Sequence, residues 1–438
     1  MAMEARTHLL EVLQTEILAR LPLKTISRFK SVCKLWKSTI ESAYFRRLFL
    51  SLHRNSSWSL MHGPDELIVF HGCKTRDNLP KSPPPLIPPS FKRYHIGDCI
   101  YRDSSGGLVL ITDGSDKAYC YVGSPVLQQW IKIPPPPSDP KGDSTVFGLT
   151  TRLDEDGVVL SFKVVRIASY GVTNDYLSSV LTVLVYSSES GVWISKVIHS
   201  PHQIGNMSNI NLNGMIYFGC LGVPGILLAH DFYSESDQLR VVQLPDYPDY
   251  NKDYKRTLTT SEGFVTYVRA LAKKEETVLK IWRFNNDDDD TWHLLWEVRF
   301  PMIIGDYVPM AMNPFDVTTV YLWSQRDHHL VSCNLRKGDY GVLEDASNDC
   351  FIDSSVCKKS VDELWRPRSP SDGDEHLDFE VCIWLIQFVI PRWMESVPRP
   401  PQAEVIDTRS LLSHATATHE RMVREHETMM RDRENYLF

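Results

Sequence analysis

The chain lacks an excess of positive charge. Its 438 residues carry 47 Lys and Arg against 55 Asp and Glu, a formal net charge of −8. A nucleic-acid binder needs cations to neutralise phosphates, so bulk charge points away from that class. Fifteen histidines do not reverse the sign. Paired cysteines are also lacking. The nine cysteines, at 33, 73, 99, 120, 220, 333, 350, 357 and 382, are odd in number and never spaced C-x-x-C. That argues against a zinc site and against a disulfide framework. The opening MAMEARTHLLEVLQ lacks the charged, apolar and small-residue order of a secretory signal. Long apolar runs are missing as well. VCIWLIQFVI falls far short of the roughly twenty residues needed to cross a bilayer, and glycines and a proline cut GMIYFGCLGVPGILLA. The expectation is a reducing compartment, cytoplasm and/or nucleus, with no membrane and no nucleic-acid partner.

Chemical signatures are absent in the same way. No G-x-S-x-G, H-E-x-x-H, Walker or kinase motif occurs. GCLGVPG has glycines at 219, 222 and 225, the wrong spacing for a dinucleotide fingerprint, and the following ILLAHDF reads as a strand, not a phosphate-holding helix. NNDDDD at 285–290 lacks the alternating ligands, glycine and distal glutamate of a calcium loop, and reads as a hairpin turn. Adjacent His328 and His329 would face opposite sides of a strand. PPPP at 134–137 is compatible with a polyproline ligand, but a connection between blades is the simpler account. No catalytic residue, metal ligand or cofactor is expected, although acidic pairs from distant strands could still meet in a funnel.

What is present divides the chain. Residues 1–50 contain no glycine and one proline, and read as a small helical domain. Residues 51–90 end in LPKSPPPLIPPS and read as a proline-rich linker. From 91 to 400, short β-type runs alternate with Gly, Asp, Asn, Ser and Pro. Residues 401–438 read as a charged helical tail, with Glu420/Arg424 and Glu427/Arg431 at i,i+4.

The long β-region repeats itself. In five stretches a β-type run is followed by a polar turn and a second run led by a bulky side chain. The leading residues are Trp130, Trp193, Leu239, Trp292 and Tyr340, separated by 63, 46, 53 and 48 positions. Other strand-like runs lie between them. A four-strand unit of about 40–50 residues is the period of a propeller blade. A β-sandwich shares the strand spacing but not the repeated phrase.

Near the amino terminus, Leu13, Ile17 and Leu21 recur at i, i+4, i+8, with Leu18 beside them. Pro22 cannot continue that helix, so it ends one helix and begins the next. Ile26, Phe29, Cys33, Trp36 and Ile40 then form a second stripe, while Lys24, Arg28, Lys30, Lys34 and Lys37 occupy mainly other positions. Helices in so short a segment cannot bury all this apolar surface on themselves. Either the downstream domain covers the remainder or another chain does.

The segment EILARLPLKTISRFKSVCKLWKSTIESAYFRRLFL resembles the F-box in the form common in plant proteins. The shared features fall on Glu16 to Pro22, Lys24 to Trp36, Thr39-Ile40 and Phe45. The family usually opens with Leu-Pro and an acidic residue, where this chain has Leu9-Leu10-Glu11-Val12-Leu13-Gln14. Phrases such as SSGGLVLI, VYSSESGVWISKVI and FVIPRWMESVPRP are similar to the F-box-associated β-propeller. The resemblance implies an α+β multidomain chain, a helical F-box followed by an all-β propeller expected to have six blades, and a helical tail. It implies a non-catalytic substrate receptor of an SCF-type cullin–RING ubiquitin ligase. Its partners would be a Skp-type adaptor, through it the cullin and RING subunits, and a target protein that the sequence does not name. Carried over by position, adaptor contacts fall to Leu13, Ile17, Leu18, Leu21, Pro22, Leu23, Ile26, Val32, Cys33 and Trp36. Alternatives are a propeller hydrolase with a helical extension, or an F-box scaffold acting outside the ligase.

Overall fold

The computed structural model describes residues 12–21, 23–52, 58–62, 70–72, 99–113, 119–125, 127–137, 145–168, 180–202, 204, 209–219, 225–246, 254–272, 276–285, 290–301, 307–324, 326–327, 329–342, 385–389, 393, 396–411, 413 and 424. Helix α1 covers 12–19. It is followed by α2 (Leu23–Phe29), α3 (Lys34–Ile40) and α4 (Ala43–Leu52). Among the described residues, all other regular structure is β, apart from helical residues at 408–411, 413 and 424.

The strands form six antiparallel sheets among the described residues. Strands β1 (Trp58–His62) and β2 (Phe70–Gly72) belong to a sheet completed by β23 (Leu385–Val389). The first full blade holds β3 (Cys99–Ser105), β4 (Leu108–Asp113), β5 (Cys120–Ser124) and β6 (Gln129–Ile133), with β24 (Val405–Asp407) added outside β6. The second holds β7 (Thr145–Leu153), β8 (Val159–Ala168), β9 (Val180–Ser187) and β10 (Val192–His199). The third holds β11 (Ile210–Leu212), β12 (Met215–Gly219), β13 (Ile226–Asp231) and β14 (Arg240–Gln243). The fourth holds β15 (Tyr254–Ser261), β16 (Phe264–Ala272), β17 (Glu276–Asn285) and β18 (Thr291–Pro301). The fifth holds β19 (Tyr307–Asn313), β20 (Asp316–Ser324), β21 (His329–Asn334) and β22 (Asp339–Val342). Within the five complete blades, sequence neighbours pair in order, and the first strands β3, β7, β11, β15 and β19 contact one another across sheets, as does β23. This is the radial arrangement of a propeller.

The hydrophobic core lies in slabs between adjacent blades. Leu110, Ile131, Phe162, Val164 and Tyr186 fill the space between the first and second. Val165, Val183, Ile216 and Phe218 fill the next. The period-two strand pattern explains this, since each sheet is apolar on both faces and must be covered on both. The five bulky residues read as repeat markers all lie at the start of the outermost of the four consecutive strands. Trp130, Trp193, Trp292 and Tyr340 are second in β6, β10, β18 and β22, and Leu239 immediately precedes β14. Trp130 pairs directly with Gly123 and lies over it, so that a Cβ on Gly123 would sit 2.6 Å from the indole.

Two polar knots tie the inner strands. Asp103 on β3 accepts from the backbone N–H of Leu149 on β7 (2.7 Å) and from the amides of Asn209 (3.0 Å) and Asn211. On the other side, Gln387 on β23 donates to the carbonyls of Thr260 (2.8 Å) and Met312, and accepts from the Thr260 hydroxyl. Each knot spans three blades.

Three sequence expectations need correction. The stretch 51–90 is not simply a linker: α4 runs to Leu52, and 58–62 and 70–72 are blade strands. The proline run at 80–89 lies outside the described residues. Within the tail 401–438, residues 405–407 form β24, paired with β6, because a strand edge left open there has unsatisfied backbone groups. Most of the remaining tail lies outside the described residues. Finally, the stripe from Ile26 to Ile40 is two helices. Cys33 between them is extended (φ −157°, ψ 162°), and its Sγ accepts from the Trp36 N–H at 3.4 Å.

Candidate docking site of the N-terminal helices

The four helices are too short to be stable alone and depend on tertiary packing. Their shared core contains Leu18, Ala19, Ile26, Ile40, Phe45 and Phe49, and it is completed by two residues of the β-region, Val158 and Trp393. Trp393 stands edge-on to Phe45 and Phe49, with ring centroids at 5.9 and 5.4 Å. Arg46 of α4 reaches Asp154 (3.2 Å) and Asp156 (3.3 Å) in the β7–β8 turn. Lys30 lies 5.8 Å from the Trp393 ring centroid. The helices are therefore docked on the propeller, with part of their apolar surface covered by it.

The rest is uncovered. Leu18 and Ile26 are 3% and 1% exposed, whereas Ile17 and Val32 are 63% and 58% exposed. Leu13 and Cys33 are also exposed. Leu21 and Trp36 are half-buried against the core, and Trp36 packs on Phe29 with centroids 5.1 Å apart. Of the ten positions carried over from the family, Leu13, Ile17, Val32 and Cys33 thus offer free surface, and Leu21 and Trp36 part of theirs. Leu18 and Ile26 belong to the interior. Leu23 begins α2, its side chain lying outside the described residues, as does Pro22 entirely.

Sequence periodicity missed Val12, Leu35 and Tyr44, all large and exposed. Leu35 lies off the stripe through Ile26, Phe29 and Trp36, so stripe logic passes over it. An apolar residue off the stripe has no place in the core, and that position was the available signal. Lys34 and Lys37 are exposed on α3, the helix that carries Leu35, and Arg28 is exposed on α2.

The described residues of the other stretches singled out in sequence lie at or beside strand ends. Gly219 ends β12 and Gly225 precedes β13, so GCLGVPG connects two antiparallel strands with no helix after it. Asn285 ends β17, and Asp290 (φ 46°) precedes β18 and pairs with Arg240 at 3.4 Å. Pro134 of the PPPP run accepts a hydrogen bond from the Trp193 indole. His329 begins β21, and His328 lies outside the described residues.

Comparison with known proteins agrees with this geometry. Residues 56–399 match the family model of the F-box protein At3g26010-like β-propeller, and residues 7–48 match the F-box domain. The chain is similar to the F-box protein At3g26010 of Arabidopsis thaliana, at 51% identity over 95% of this chain and 97% of that one. It is also similar to the putative F-box/kelch-repeat protein At4g22430 (44% identity, 93% and 96% covered) and the F-box protein At1g49990 (40%, 89% and 97%), both from the same plant.

Proposed function

Since the chain belongs to the F-box proteins with an At3g26010-like β-propeller, we propose that it is the substrate-recognition subunit of an SCF-type cullin–RING ubiquitin ligase. The helices dock on a Skp-type adaptor, and the propeller holds a target protein near the ubiquitin-carrying enzyme. The chain performs no bond chemistry itself. Its contribution is to raise the local concentration of a target lysine and orient it. It acts in the cytoplasm and/or nucleus.

One observation carries this reading. Leu18 and Ile26 are buried in the core that the helices share with Val158 and Trp393, whereas Leu13, Ile17, Val32 and Leu35 are left in solvent. Four exposed large apolar side chains within one small helical unit favour a protein partner. An adaptor interface of standard size would bury on the order of 1,600 Å², with a few central apolar anchors dominating. Ile17→Asp and Val32→Asp place charge where no core packing is disturbed. Each is expected to abolish co-purification with the adaptor while leaving the thermal unfolding curve unchanged. Undiminished capture by both folded variants would refute the receptor reading.

A further inference from the structure

A receptor joined to its docking helices by a loose tether would let its target wander. Here the two units share one hydrophobic core. Phe45 and Phe49 of α4 meet Trp393, which follows β23, and Val158, which precedes β8. Beside that core, the Arg46 guanidinium is held between the carboxylates of Asp154 and Asp156. Asp154 is itself fixed, because its Oδ1 accepts from the N–H groups of Asp156 (2.9 Å) and Val158 (2.8 Å). Only residues 53–57 separate α4 from β1. The anchoring points come from two different blades, the second through the β7–β8 turn and the sixth through the segment after β23. Two anchors on separate blades, one apolar and one ionic, block rotation as well as translation of α4. No exposed docking residue of the helices takes part in the joint.

We infer that Arg46, Phe45, Phe49 and Trp393 form a rigid joint that sets where the propeller stands relative to the adaptor, and that Arg46 and Trp393 are positioning residues for ubiquitin transfer. The second half of this inference rests on the receptor reading, and the first does not. In the transfer step a lysine amine attacks the thioester between ubiquitin and the conjugating enzyme. An isopeptide bond forms, the thioester breaks, and the cysteine thiol leaves. A fixed joint restricts which lysines come within reach, because rate follows orientation and proximity.

The test uses the full chain. Fluorophores on non-natural residues at Ser38 and Ser236, both exposed, report the distance between helices and propeller in single molecules. The wild type is expected to give one narrow distribution. Arg46→Asp and Trp393→Ala are expected to broaden it, and Asp156→Arg is expected to narrow it again in the Arg46→Asp background. In parallel, a ligase reconstituted with the Skp-type adaptor, cullin, RING subunit and ubiquitin-loaded conjugating enzyme modifies the propeller's own lysines, mapped by mass spectrometry. Adaptor affinity is expected to be unchanged in Arg46→Asp, while transfer to the preferred lysines falls by about threefold or more and spreads to others. Identical distance distributions in all variants would overturn the joint. Broadened distances with an unchanged lysine pattern would overturn the positioning role. Failure of the wild type to bind adaptor would overturn the receptor reading, while the distance measurement still judges the joint by itself.

Discussion

The indole N–H of Trp292, at the start of the outer strand of the fourth blade, donates to the carbonyl of Gln243 at the end of the third blade's outer strand, at 2.7 Å. Trp193 makes the equivalent bond to Pro134 between the second and first blades, also at 2.7 Å. Trp130, in the first blade, donates to the hydroxyl of Thr408, just past β24 (3.0 Å). At Trp193 and Trp292 the residue that marks the repeat in sequence is thus a staple between neighbouring blades, while Trp130 ties β24 into its own blade. Trp292→Phe keeps an aromatic ring but removes the donor, and is expected to cost about 1 kcal/mol. Trp292→Ala also removes the ring from Phe284 and Tyr267, which it contacts, and should cost about 3–5 kcal/mol. Urea denaturation of both variants checks the order. Equal losses would show that the hydrogen bond contributes more than the packing.

Asp103 is a fully buried acid at the hub, and burial pushes its carboxyl up to about 7, against the downward pull of N–H donors from Leu149, Asn211, Ser104 and Asn209. The folded protein therefore holds this proton more tightly than the unfolded chain between about pH 4 and pH 7. Stability contributed by Asp103 falls as pH rises through that window, by at most about 1.4 kcal/mol per pH unit. Asp103→Asn removes the slope and turns an acceptor into a donor facing other donors. The variant is expected to be destabilised, and by more at pH 5 than at pH 7.5. A loss that instead grew toward pH 7.5 would reverse the assignment.

Asp246, just beyond β14, accepts from Arg256 (3.1 Å), Arg269 (3.3 Å) and the Tyr267 hydroxyl (3.0 Å), joining the third blade to the fourth. The Arg256 side chain is 3% exposed. Asp246→Ala removes a carboxylate from buried Arg256 and partly buried Arg269, and breaking a buried pair in this way costs about 3–5 kcal/mol. Thermal unfolding is expected to shift sharply down in this variant and little in Glu276→Ala, whose partner Arg299 is exposed. Comparable shifts would contradict the burial argument.

Cys33 acts as the N-cap of α3. Serine is the better cap, because its hydroxyl is a stronger acceptor than a thiol. Cys33→Ser is expected to raise stability slightly and Cys33→Ala to lower it by about 1 kcal/mol. The helical signal in circular dichroism, followed against temperature, reads both. A more stable alanine variant would remove the capping role.

How far the sequence revealed this architecture depended on distance along the chain. The outer-strand starts at Trp130, Trp193 and Trp292 are visible because each blade is one local meander with a repeated phrase. Strands β1 and β24 were hidden. Met61 pairs with Ile386, and Val405 with Ile131, partners hundreds of residues away, and WSLMH or VID carries little local pattern. The docking surface was half legible. Helical periodicity located Leu13, Ile17, Leu18 and Ile26, but periodicity groups residues by face and does not say which neighbour covers them. Only the packed core, in which Leu18 joins Ile26, Ile40, Phe45 and Phe49, separates buried Leu18 from exposed Ile17. Charge gave no hint of Asp103, whose environment is assembled from three blades.

The sixth sheet is made by pairing Leu60 with Gln387. On the ribosome, β1 can pair with β2 at once, but its other edge has no mate until β23 is made, some three hundred residues later. Loop closure over so long a span is slow. The nascent protein therefore spends its synthesis as an open crescent, with one hydrogen-bonding edge of β1 unpaired for chaperones to guard.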